Sequence, residues 1–171
     1  MNKKPLRIVL ATLLLISSFL IIIIFTSETG EESDQLSLSI AERIEYTIAD
    51  HFYVNHHDEF WETTLNQIIR KLAHFLEFAY AGVTTCIFFL ILIRRRWVSI
   101  SVSFSVCTLM ALTDEFRQQF VSGRLPRWFD VKIDICGALF GILAVMIIYG
   151  IYTRIKSLKD RIRALEGLVV K

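Results

Sequence analysis

Four stretches of this chain leave little choice about its surroundings: Leu6 to Phe25, Leu72 to Ile93, Trp97 to Thr113 and Ile133 to Ile151 are dominated by apolar residues. A hydrocarbon core of about 30 Å is crossed by about 20 helical residues, with about 17 as a lower limit, so each stretch can span a bilayer. Lipid offers no partner to a backbone N–H or C=O, so each must be a helix. The composition agrees, because 54% of the 171 residues are hydrophobic and 13 are Phe, too oily for a water-soluble domain of this size. The predicted fold is all-α: a polytopic membrane protein with four transmembrane helices. Residues 1–151 form one transmembrane domain and residues 152–171 a basic, amphipathic cytoplasmic tail.

The first run starts with Lys3, Lys4 and Arg7, as a secretory signal peptide would. Its apolar stretch is longer than the about 7 to 15 residues usual in such peptides, and the "FTSETG" that follows offers no small-x-small cleavage site. It is read as a retained span. Further bases gather at Arg94, Arg95 and Arg96, and at Arg154, Lys156, Lys159, Arg161 and Arg163. Four spans put all three clusters on one side, which the positive-inside rule makes cytoplasmic. A multi-pass cell-membrane protein with both termini in the cytoplasm is expected, with Thr26 to Arg70 and Phe116 to Lys132 outside.

Between the first two spans, Thr26 to Asp34 is acidic and turn-rich and reads as a loop. Ser39 to Phe52 carries Ile40, Ile44, Ile48 and Phe52 at four-residue spacing, which predicts an amphipathic extracellular helix. A second helical pattern, Glu59 to Arg70, leads into the next span. His51, His56, His57 and Asp58 crowd the break between them, but histidines adjacent in a turn lack the one-face spacing of a preorganised ligand set. No metal and no cofactor are assigned from the sequence. Cys86, Cys107 and Cys136 all fall inside apolar runs and are read as small core residues. After the fourth span, Ile151, Ile155, Leu158, Ile162, Leu165 and Val169 alternate steps of four and three among basic residues. That pattern fits a helix on the anionic leaflet, or a short coiled coil that could scaffold a partner. There is no Gly-rich phosphate loop and no nucleic-acid motif.

The unusual chemistry lies at the outer ends of the last three spans. Arg70, Lys71, His74 and Glu77 open the second, spaced to share one helix face. Asp114 and Glu115 close the third, with Gln118 one turn beyond. Asp130 and Asp134 enter the fourth from one face, and Gly137 and Gly141 lie on a neighbouring stripe that lets another helix approach closely. An ionisable group at such depth costs about 2 to 3 kcal/mol unless it faces protein or water. The turn between the spans offers Arg117, Arg124 and Arg127, whose guanidinium forks suit carboxylate or phosphate. One reading is a set of internal ion pairs in which Lys71, Arg117 and Arg124 neutralise the carboxylates. The other is a polar pocket of Lys71, His74, Glu77, Asp114, Glu115, Gln118, Arg124, Asp130 and Asp134 that holds a ligand.

The pattern Lys71-x-x-His74-Phe75-x-Glu77-Phe78, then Asp114-Glu115-x-x-Gln118-x-Phe120-x-x-Gly123-Arg124, then Asp130-Val131-x-x-Asp134-x-x-Gly137-x-x-x-Gly141, resembles the VanZ-like family of bacterial membrane proteins. The likeness covers about Thr26 to Gly150. Asp134 stands where that family usually carries Asn, and Ser122 where it often carries Pro before Gly-Arg. The resemblance implies a cell-envelope context, since the family is named for a protein associated with low-level resistance to the lipid-tailed glycopeptide teicoplanin. It implies no established reaction. The expectation is a non-enzymatic envelope protein binding an anionic or lipid-linked cell-wall precursor, or a lipoglycopeptide, among membrane lipids and without nucleic acid. The alternative is an intramembrane lipid-phosphate hydrolase or transferase, with His74 as acid or base, Glu77 or Asp114 orienting it, and carboxylates able to hold a divalent metal.

Overall fold

The structure is a computed structural model that describes residues 4–52, 64–93, 95–123 and 127–169. Among these residues it is built of five helices: α1 (Lys4–Ser27), α2 (Gly30–Phe52), α3 (Asn66–Leu92), α4 (Arg96–Gln118) and α5 (Trp128–Val169). Four of them, α1, α3, α4 and α5, are long and apolar enough to cross a membrane. The all-α, four-span expectation holds.

The ends of the helices differ from the sequence reading. Thr26 to Asp34 is not a loop: α1 runs to Ser27, and α2 begins at Gly30 rather than Ser39. The cause is a capping box, Thr29-x-x-Glu32, a start signal that the acidic composition hides. The Thr29 hydroxyl accepts from the Glu32 N–H at 3.2 Å, while Glu32 Oε2 accepts from the Thr29 N–H at 2.8 Å and its hydroxyl at 3.0 Å. These donors, the backbone N–H above all, hold the Glu32 carboxyl below the usual carboxylate range. At the other end of the chain α5 does not break after the span. Its 42 residues run unbroken from Trp128 to Val169, so the basic tail belongs to the same helix as the span. His56, His57 and Asp58 fall outside the described residues, as does most of Glu59 to Arg70's leading half.

The core is made mostly of small residues around Phe78, Ile22 and Ile142, and the outside of large ones, the arrangement expected where lipid supplies the apolar solvent. Ala79, Ala81, Thr84, Thr85 and Cys86 of α3 and Ser99, Ser103, Cys107 and Ala111 of α4 are buried, whereas Leu13, Leu109, Phe140, Leu143 and Ile147 are exposed. The hydroxyls of Thr84, Thr85, Ser99 and Ser103 stay bonded, as where Thr84 donates to Ser18 across α3 and α1 at 3.0 Å. Cys86 and Cys107 are core residues, but Cys136 is exposed. The inward stripe of α5 is already taken by Val131, Asp134, Ala138 and Ile142.

The closest approach is that of α3 and α5. A methyl group added at Gly137 or Gly141 would overlap the carbonyl oxygens of Phe75 and Ala79, and one at Gly82 would overlap that of Ala138. Gly137 and Gly141 therefore act as the sequence spacing suggests: they let the α3 backbone lie directly on them.

Candidate functional site

That contact sets the register of the charges. With Gly137 seated against Phe75, Asp134 is placed one turn earlier, beside His74: His74 Nδ1 lies 3.9 Å from Asp134 Oδ1. Asp134 is 1% exposed, and its Oδ1 accepts no hydrogen bond. The third helix adds Asp114, 3% exposed, so that His74, Asp114 and Asp134 each offer an atom within 4.8 Å of the others. Asp114, Glu77, Asp130 and Glu115 all bear electrostatically on Asp134. Eight of the nine expected pocket residues can be followed, and Arg124 lies outside the described residues.

Asp114 is held from two sides. Gln118 Nε2 donates to its Oδ2 at 2.9 Å, and the Thr26 hydroxyl donates to its Oδ1. Thr26, buried at the end of α1, was not among the residues picked out from the sequence. Its only signal is a hydroxyl at the end of a largely apolar run that also carries Thr12, Ser17 and Ser18. Glu115 has a different job: its Oε1 accepts the N–H of Arg127 and fastens the start of α5 to α4. The turn before it is docked on α2, where the Gly30 N–H donates to the Ser122 carbonyl at 3.1 Å. Gly123 there has φ +77°, a conformation side chains rarely adopt, and a Cβ on Gly30 would strike its carbonyl.

Three of the described bases have contacts other than the clustered carboxylates. Lys71 stands over the Phe129 ring at 4.7 Å, a cation–π contact between α3 and α5. Arg117 donates to Ser27 Oγ at 3.0 Å, and Arg70 pairs with Asp34 of α2 at 3.1 Å. Arg70, His74 and Glu77 do share one face, as their spacing requires, and line a narrow cleft with Ser33, Ser37 and Ile40 of α2. Lys71 faces away from it.

A second depression adjoins the cluster. Between α1 and α4 a groove of about 350 Å³ runs along Phe19, Ile23, Val106 and Met110 and ends on Asp114 and Arg117. One buried carboxylate thus belongs both to the cluster and to the polar end of an apolar channel.

Residues 10–149 match the model of the VanZ/LLP1 family. That is most of the chain, and the protein belongs to this family. No curated protein and no solved structure matches it.

Proposed function

We propose that this member of the VanZ/LLP1 family is a non-enzymatic cell-envelope protein that holds an anionic, lipid-linked envelope component at the outer leaflet. The observation that carries the reading is the groove between α1 and α4, apolar along its length and closed at one end by Arg117 and Asp114. A lipid tail fits the apolar part, and a phosphate or carboxylate head fits a guanidinium at its end. A lipid-tailed glycopeptide has the same two-part chemistry, which joins the reading to teicoplanin resistance. The protein in lipid nanodiscs is expected to bind a fluorescent polyprenyl phosphate saturably, and Val106→Trp, which fills the groove, to weaken binding at least about tenfold. Equal binding by Val106→Trp would remove the groove from the account. In a glycopeptide-susceptible host, expression is expected to raise the inhibitory concentration of teicoplanin and not of vancomycin.

The convergence of His74, Asp114 and Asp134 favours a second reading, lipid-phosphate hydrolysis or transfer with His74 as acid or base. Release of phosphate from the same probe would select it over binding alone.

The site is outward-facing in either reading, because the described bases Arg95, Arg96, Arg154, Lys156, Lys159, Arg161 and Arg163 belong to the other end of the bundle. Arg96 stands over the Tyr149 ring of α5 at 4.9 Å, beside Arg154 and Arg161, and the positive-inside rule assigns that end to the cytoplasm. In a cysteine-free background, a cysteine at Gln35 is expected to react with an impermeant reagent on intact cells and one at Ser157 to stay unlabelled. The reverse pattern overturns the orientation.

A further inference from the structure

We propose that His74, Asp114 and Asp134 form a binding site for one divalent first-row metal ion, with zinc the best fit. The inference concerns binding only and does not depend on what the groove between α1 and α4 holds. Three helices deliver one ligand atom each, all within 4.8 Å of one another. Metal–ligand bonds of about 2.0 to 2.2 Å put ligands on a tetrahedral ion about 3.3 Å apart. The separation of 3.9 Å between His74 Nδ1 and Asp134 Oδ1 is near that spacing. The other separations are at most 4.8 Å, so binding an ion draws the three side chains together.

Two further observations point to a cation. Asp134 is 1% exposed, yet its Oδ1, facing His74, accepts no hydrogen bond. A buried carboxylate oxygen left in that condition is costly, and Asp114 brings a second buried carboxylate within 4.8 Å. A divalent cation satisfies both at once. Asp114, for its part, is oriented as metal-bound carboxylates are, by outer hydrogen bonds from Gln118 and Thr26. Those bonds use only part of the lone-pair capacity of its two oxygens.

The donor set chooses among metals. Two carboxylates alone would suit magnesium or calcium, but an imidazole nitrogen in the set favours zinc or its first-row neighbours. Three protein ligands leave a tetrahedral ion with a fourth position. The cleft lined by His74, Glu77 and Ser37 offers a path to it from the α2 side.

The purified full-length protein, stripped with chelator and titrated with zinc, is expected to bind one equivalent and to unfold at higher temperature when loaded, because the ion binds the folded state. Cobalt in its place should give the visible bands of a low-symmetry site with nitrogen and oxygen ligands. Loss of a ligand exceeds the penalty for losing an outer partner, so His74→Ala and Asp134→Asn should each lower zinc affinity more than about 100-fold. Asp134→Asn keeps the side chain's shape and removes a buried charge, so without metal it should be at least as stable as the parent protein. That makes weak zinc binding by this variant attributable to the ligand and not to misfolding. A parent protein that takes up neither zinc nor cobalt overturns the proposal, as do variants that bind like it. Probe binding unchanged by chelator would leave the lipid reading standing, and zinc uptake without probe binding would leave only the metal site.

Discussion

Gly141→Leu is expected to keep α3 and α5 from closing, and with them the site from forming. The side chain would have to occupy the space held by the Ala79 carbonyl and the Val83 N–H. These are backbone atoms of a helix and cannot rotate aside. Overpacking a core costs about 1 to 3 kcal/mol when side chains can yield, and a displaced backbone should place this variant at or above the upper end. Gly137→Leu meets the carbonyl of Phe75 and should behave alike. Gly150 lies further along the same helix with nothing within 4 Å. Gly150→Leu should therefore be neutral or gain up to about 1 kcal/mol from helix propensity. Thermal unfolding of the three variants in one detergent checks this. Similar melting of Gly141→Leu and Gly150→Leu would show that the glycine stripe is not what joins α3 to α5.

The same contact explains which parts of the site could be read before the fold was known. Span number and the all-α class follow from apolar run length, which bilayer thickness fixes without reference to tertiary structure. The one-face grouping of Arg70, His74 and Glu77 follows from helix geometry alone, and all three do line one cleft. Which carboxylate meets His74 is a different kind of question. Spacing within α3 points to Glu77, and chemistry alone would accept Asp114. The answer is also Asp134, because Gly137 meets Phe75 and carries its own neighbours into register. No single-helix pattern contains that information.

Two other differences have local causes. The acidic stretch after α1 looks like a loop by composition, yet Thr29 and Glu32 satisfy each other's backbone and start a helix there. Lys71 looks like a counter-ion by position, yet it sits on an aromatic ring of α5. Its ammonium and the Phe129 face meet because Phe129 precedes Asp130 in the segment that Glu115 fastens to α4. In both cases a specific partner decides, where composition gives only a tendency.

Asp114 separates the structural from the chemical use of the cluster. Asp114→Ala strands the buried Gln118 amide that now donates to it at 2.9 Å, at about 1 to 3 kcal/mol for an unsatisfied buried group. Thr26 loses less, since its hydroxyl also reaches the Ile22 carbonyl at 2.6 Å. Asp114→Asn removes the same charge but can accept from Thr26 and, with the Gln118 amide turned over, donate to it. The asparagine variant should therefore be the more stable of the two by about 1 to 3 kcal/mol. Ligand retention should not follow that order. A carboxylate repels an anionic headgroup directly and assists it only by holding a cation beside it, whether Arg117 or a bound metal. On that reading both variants should bind the polyprenyl phosphate probe at least about tenfold more weakly than the parent, a difference of about 1.4 kcal/mol or more. Tighter binding by Asp114→Asn would mean that Asp114 acts on the headgroup as bare repulsion, and neither Arg117 nor a bound metal would be drawing on its charge to hold the anion.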